Sequence, residues 1–254
     1  MKPILPNPPA ETIDRFAFVE AASGWNLDDI VRGDDSTSAD LEAIIPETGQ
    51  NNALDNVNNP AAGGHSAADR IALINGLSGL LDGATTFSGG NILLGGSGSD
   101  QIEGRGGDDI IDGDAWLNVR ISVRDPNNSA VEIATFDNLT NTLRTAMLAG
   151  TYNPSQLKIV REIKSVANDA GVDKAIFRDV STRYAITFNP DGSVTVNHTN
   201  PTAAAVDDGI DTLRNIEQLQ FTDRTIIVGG GGPGAGTPGD DNLVGTAGND
   251  TLDG

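Results

Sequence analysis

The chain of 254 residues has no cysteine, which excludes a disulfide framework. With only His65 and His198 as nitrogen ligands, zinc and copper centres are disfavoured. Aromatic residues make up 4% and hydrophobic residues 37%, a thin core for this length. Positive charge is scarce: 16 Lys and Arg stand against 36 Asp and Glu, a net −20. Such a surface repels nucleic acid and anionic membrane and attracts cations. No apolar run approaches the ~20 residues of a membrane span. Met1–Pro9 lacks the apolar stretch of a cleavable signal. There is no nucleophile elbow and no phosphate loop; Gly229–Gly232 lack the following Lys-Ser/Thr. His65 and His198 both read as lone surface residues.

Glycine and aspartate are what the chain has in abundance, and they recur with a period of nine. Gly95–Glu103 and Gly104–Asp112 place Gly at the first position, Gly at the fourth (Gly98, Gly107), Asp at the sixth (Asp100, Asp109) and Ile at the eighth. Thr86–Leu94 keeps Gly89 at position four, Asn91 at six and Leu93 at eight, while Leu77–Thr85 keeps only Asp82. The phase restarts near the C-terminus. There Gly236–Val244 carries Gly239 and Asp241, and Gly245–Asp253 carries Gly248 and Asp250. A fixed period with an inward apolar residue is not a linker; it specifies a tight turn followed by a short strand. Glycines such as Gly96 supply the turn's positive φ. Turn carbonyls and the position-six carboxylate are hard oxygen donors that suit Ca²⁺.

These motifs resemble the RTX (repeats-in-toxin) family of secreted bacterial proteins. The resemblance implies a parallel β-roll with two nonapeptides per coil and calcium ions between turns eighteen residues apart. Asn91 then pairs with Asp109, and Asp100 sits between Asp82 and Asn118. Asp241 and Asp250 are half-sites. It also implies calcium as the cofactor, folding on calcium binding, and type I secretion to the extracellular space. The end inside a repeat, without a secretion tail, reads as a fragment of a longer protein.

The expected fold is mainly β with some α: a short calcium-binding roll, a mixed α/β insert and the start of a second roll. Residues 1–64 are poorly patterned, though Phe16, Phe18, Val19, Trp25, Leu27, Ile30 and Val31 suggest a short helix and apolar cluster. Residues 65–85 predict a helical cap on the roll's open end, started by Ser66 with Ile71, Ile74, Leu77 and Leu81 on one face. The roll itself is assigned to 86–116. Residues 117–228 form the insert. It begins with a strand at Leu117–Val123 and its partner at Val131–Phe136, followed by a helix capped by Asp137 that runs through Leu143, Met147 and Leu148 and is stopped by Gly150. A second helix is expected after Asn153-Pro154 along Leu157, Val160, Ile163 and Val166. Strands follow at Ala175–Phe177, Tyr184–Phe188, Val194–Val196 and within Ile210–Ile227. Residues 229–238 are a Gly-rich linker, and 239–254 open the second block.

The insert's Gly113–Val119, Ile159–Ile163, Ala175–Phe177 and Asp211–Phe221 are similar to a module found among RTX repeats. In several large bacterial proteins that module lies downstream of an animal-type haem peroxidase domain. The implied role is a calcium-binding, non-catalytic module. Alternatives are an accessory part of a secreted haem peroxidase, an adhesion module for polysaccharide or cell surface, or a self-processing module cutting at Asp125-Pro126. The acid pairs Asp28-Asp29, Asp34-Asp35 and Asp207-Asp208 are further calcium candidates, weighed against ordinary solvated loops. The oligomeric state is not readable from the sequence.

Overall fold

The computed structural model describes residues 21–35, 54, 66–166 and 169–228. The second repeat block with Gly239, Asp241, Gly248 and Asp250, the linker at 229–238, His65, and Phe16, Phe18 and Val19 lie outside the described residues.

Among the described residues fifteen strands run in chain order. They are β1 (Ala21–Ser23), β2 (Ile30–Arg32), β3 (Ile74–Asn75), β4 (Ile92–Leu94), β5 (Gln101–Glu103), β6 (Ile110–Asp112), β7 (Ala115–Arg124), β8 (Glu132–Phe136), β9 (Leu157–Ser165), β10 (Lys174–Ile176), β11 (Tyr184–Phe188), β12 (Val194–His198), β13 (Ile210–Arg214), β14 (Gln218–Gln220) and β15 (Thr225–Ile227). The helices are α1 (Ala67–Ala72), α2 (Leu77–Leu80) and α3 (Asn141–Leu148).

Two facing sheets make the roll. One has the order β1-β4-β6-β13-β12-β11, the other β15-β14-β10-β5-β2. The first four strands of the former are parallel, with Ala22, Leu93, Ile111 and Leu213 in register. In the latter, Val31, Ile102, Ala175 and Leu219 are aligned across parallel β2, β5, β10 and β14. These position-eight side chains point between the sheets. Leu93, Ile102, Ile111, Ala175, Leu213 and Leu219 are all buried there. Strand alternation sends the flanking residues outward.

The roll is therefore not confined to 86–116. Residues 21–35 supply a preceding coil, and 173–220 supply the following ones. The region 117–228 is not a separate body either, since β10, β13 and β14 complete the roll's own sheets.

A third sheet, β3-β9-β7-β8, stands beside the roll. Its β7 and β9 pair antiparallel over nine positions from Ala115↔Ser165 to Val123↔Leu157. The helix expected at Leu157–Val166 is this β9. Only the Pro154–Gln156 turn is helical, of the 3-10 kind. The β-branched Ile159, Val160 and Ile163 suit a strand, and pairing with β7 overrides the three-residue apolar spacing.

The predicted cap is two short helices. Ser66 and Asp69 form a reciprocal capping box at the start of α1. Gly76, with φ 87°, breaks the chain before α2. Ile71, Leu77, Leu80 and Leu81 cover Ile92 and Leu94, which flank the inward Leu93. The helices thus shield an outer face of the roll; its end is formed by β1 and β2. The region around Trp25 and Leu27 is a turn between β1 and β2, not a helix, and both side chains are exposed. α3 runs through Leu143 and Leu148 as expected, but its N-cap is Thr140 rather than Asp137, and Gly150 at φ 73° lies just beyond its end.

Candidate calcium-binding turns

Each passage between the facing sheets is a turn, and the turns stack in two rows. Row one runs from the first sheet to the second. It comprises 24–29, 95–100, the interrupted passage from 113 to 173, and 215–217. Row two runs back. It comprises 33–35 with 89–91, then 104–109, then 177–178 with 207–211.

In row one, acidic side chains tie each turn to the one before. Asp29 N–H donates to Asp100 Oδ1 at 2.7 Å. Asp100 N–H donates to Asp173 Oδ1 at 2.7 Å, and Asp173 N–H to Glu217 Oε2 at 2.7 Å. Row two repeats the device. Asp34 N–H donates to Asn91 Oδ1 at 2.9 Å, Asn91 N–H to Asp109 Oδ1 at 2.6 Å, and Asp109 N–H to Asp211 Oδ1 at 3.0 Å.

These bonds occupy one carboxylate oxygen and leave the other. Asp100 and Asp109 are 0% and 1% exposed. Among the described residues, Oδ2 of each is buried without a hydrogen-bond donor. A buried, unpaired carboxylate oxygen is costly unless a cation or proton meets it. Burial above all, then Asp29, Asp28 and Asp169, raises the Asp100 pKa. Burial, with Asp100, Glu217 and Asp114 adding repulsion, pushes Asp173 up to about 7. Asp114 rises to about 6 through burial and the nearby Asp169, Glu217, Asp112 and Asp100. In row two, burial raises Asp109, and burial with the Asp109 charge raises Asp211.

Glycine leaves the room that the turns require. Gly107 has φ 106°, and a Cβ there would overlap the Gly89 carbonyl oxygen. Gly89, Gly96 and Gly98 also take positive φ, at 80°, 107° and 128°, so the four predicted ligand-turn glycines among the described residues hold positive-φ backbone. The donor set is all oxygen, rich in carbonyls, with room beside buried carboxylates. It fits Ca²⁺. Among the described residues no three His, Cys, Asp or Glu side chains converge as a metal cluster.

The rows differ in fixed charge. Arg178 enters row two: its Nε lies 2.5 Å from Asp208 Oδ1 and its Nη1 2.6 Å from Asp35 Oδ1. Its Nη2 donates to the Asp207 carbonyl at 2.9 Å. Among the described residues, no Lys or Arg forms an ion pair with Asp28, Asp29, Asp100, Asp114, Asp169, Asp173 or Glu217 of row one.

Of the sequence-predicted residues, Asn91 and Asp109 are brought together, the Asn91 amide on Asp109 Oδ1. Asp100 does not sit between Asp82 and Asn118, because the chain leaves the period at Asp112; its neighbours are Asp29 and Asp173. Asp82 instead binds Arg214 Nη2 at 2.7 Å. Asn118 belongs to β7 and donates to Glu162 at 2.9 Å. The departure has a local cause. Asp112 Oδ1 accepts the Asp114 and Ala115 amides, both at 3.1 Å, and starts β7.

His198 is buried rather than on the surface. It stacks on Tyr184 with ring centroids 4.0 Å apart, and its Nδ1 accepts the Asp208 amide at 3.1 Å. Asp125-Pro126 lies in the β7–β8 hairpin. There Asp125 Oδ1 accepts the Asn127 and Asn128 amides at 2.7 and 3.3 Å, as in an ordinary Asx turn.

Sequence reasoning missed Asp173, Asp211 and Glu217, and it offered Asp29 only as half of an acid pair, not as part of a coil of the roll. Gly24, Asp29 and Val31 do carry the nonapeptide pattern, with Gly33 nine residues after Gly24. Asp29 and Asp100 are 71 residues apart, which is not a multiple of nine, so a search in one phase passes over them.

Three-residue parallel strands, inward aliphatic residues in register and stacked acidic glycine turns define the class: a calcium-binding parallel β-roll. The chain carries RTX-type calcium-binding repeats. The family model of the RTX calcium-binding nonapeptide repeat matches residues 85–115 and 235–254, in four copies. No curated protein and no solved structure matches the chain. No helix among the described residues is long and apolar enough to cross a membrane.

Proposed function

We propose that this chain is a non-catalytic, calcium-ordered module of a secreted bacterial protein, folding when it meets calcium after export. The observation that carries this reading is the pair of buried carboxylate oxygens, Asp100 Oδ2 and Asp109 Oδ2, with no donor among the described residues. With net charge −20, the calcium-free chain is expanded by its own repulsion. At low cytosolic calcium that keeps it unfolded and exportable. Outside, sites of ~10⁻⁴–10⁻³ M affinity are sufficient for filling. Ions then bridge successive turns, through Asn91 and Asp109 in row two and through Asp100 in row one, with the turn carbonyls completing each shell. Asp241 and Asp250 extend the same chemistry to the second block. Metal affinity becomes folding free energy, the role that disulfides fill in other small secreted domains.

Far-ultraviolet circular dichroism and amide hydrogen exchange in EGTA and in excess CaCl₂ test this. Calcium should raise strand content and protect the β4, β5 and β6 amides. Identical spectra and protection in both buffers would refute calcium-coupled folding.

A further inference from the structure

We propose that Gly113–Asp114 and Ala170–Asp173 are the two halves of a single nonapeptide turn, split by residues 115–169, and that this split turn closes a calcium site on Asp100. The inference rests on the calcium reading above and adds Ala170–Asp173, which lie outside both matched segments, 85–115 and 235–254.

The register makes the case. Leu94 aligns with Asp112 across β4 and β6, so Gly113 falls opposite Gly95 and Asp114 opposite Gly96. The Gly96 amide donates to the Gly113 carbonyl at 2.8 Å. On the far side Lys174 aligns with Gln101, so Asp173 falls opposite Asp100, Val172 opposite Ser99 and Gly171 opposite Gly98. The contacts agree: the Val172 amide donates to Ser99 Oγ at 3.0 Å, and a Cβ on Gly171 would overlap the Gly98 carbonyl. Ala170 then takes position three. All six turn positions are filled, from two stretches of chain. The excursion between them is the β7–β9 hairpin sheet, whose ends meet at Ala115↔Ser165 and so return the chain to its departure point.

The oxygens converge as a cation requires. Asp100 Oδ2, buried and without a donor, crowds the α-carbon of Gly95 from the same side as the Gly113 carbonyl oxygen. One coil on, Asp173 Oδ2 and the Asn215 carbonyl crowd Gly113 in the same way. Carboxylate and carbonyl oxygens of two successive turns thus face one another beside glycines, where a side chain would leave no room. Asp169 is committed elsewhere, accepting the Gly98 amide at 2.9 Å and the Gly171 amide at 3.2 Å; it holds the rejoining strand in place. A hard divalent cation with oxygen ligands matches this set.

The test uses the full chain. Native mass spectrometry during CaCl₂ titration counts bound ions in the wild type and in Asp173→Asn. Terbium luminescence excited through Trp116, in a Trp25→Phe background, reports the site beside Asp114. Asp173→Asn should bind one ion fewer and lose the Trp116-sensitised emission. An unchanged ion count with undiminished emission overturns the split-turn site while leaving the repeat sites standing. A wild type that binds no calcium overturns the proposed function instead. Should Asp173→Asn not fold, hydrogen exchange on the wild type decides. Calcium should protect 113–114 and 171–173 together with 95–100; protection of 95–100 alone overturns the inference.

Discussion

The two rows of turns are built to the same plan and neutralised by different means. Row one stacks Asp29, Asp100, Asp173 and Glu217, with Asp28, Asp114 and Asp169 around them, and no basic side chain pairs with any of these among the described residues. Row two stacks Asn91, Asp109 and Asp211 on an equally acidic ladder, but Arg178 bridges Asp35 and Asp208. An asparagine at position 91 removes one more charge. A permanent guanidinium offsets part of row two's charge, whereas row one's must be met by a dissolved cation or by protons. The comparison teaches that one fold can carry its acidic turns in two ways: one edge without a fixed counter-ion among the described residues, the other with Arg178 built in.

Removing that guanidinium gives the largest expected effect. Arg178→Met leaves Asp208, 2% exposed, without its buried partner, at a cost of about 3–5 kcal/mol. Urea unfolding in EGTA measures it. A loss under about 1 kcal/mol would show that Arg178 is not the fixed counter-ion of row two.

Asp100→Asn probes the opposite edge. It removes a buried charge, so stability in EGTA should hold or rise. The extra stability conferred by calcium at a hundredfold excess over Kd, about 2.7 kcal/mol per site, should fall by about that amount. Parallel unfolding curves with and without calcium read both arms, and an undiminished calcium increment would remove Asp100 from the ligand set.

Acidity gives a smaller, graded effect. In the folded, calcium-free chain, Asp114 and Asp173 are raised to about 6 and 7, against ~3.9 when unfolded. Between these limits the folded state holds more protons than the unfolded one. Calcium-free stability therefore falls as pH rises through roughly 4 to 7 and recovers as pH falls. Calcium must displace those protons, so its affinity should climb with pH to about 7, by up to about tenfold per unit for each proton released, and level off above. Calorimetric titrations across this range check the slope, and an affinity independent of pH would mean the raised carboxylates do not bind the ion.

Much of this was legible in the sequence, and for a physical reason. Strand alternation and turn geometry both repeat every nine residues, so Leu93, Ile102, Ile111, Asp100 and Asp109 announce their own positions. The β7–β8 pair is equally local and was readable. What escaped was non-local. The first coil, Gly24 to Arg32, is out of phase with the block it stacks on. Asp173 reaches its place only because the β7–β9 sheet brings the chain back to where it left. Arg178 looks like any isolated cation until the roll sets it between Asp35 and Asp208. The β9 segment misled because apolar residues three apart satisfy a helix as readily as the two faces of a strand, and only pairing with β7 decides.

The most direct test of ion bridging is the unfolding free energy of the full chain at fixed pH, measured as a function of free calcium. Stability should rise in proportion to the logarithm of calcium concentration once the sites fill, with a slope of RT per ion bound. A stability independent of calcium would contradict the claim that cations hold these turns together.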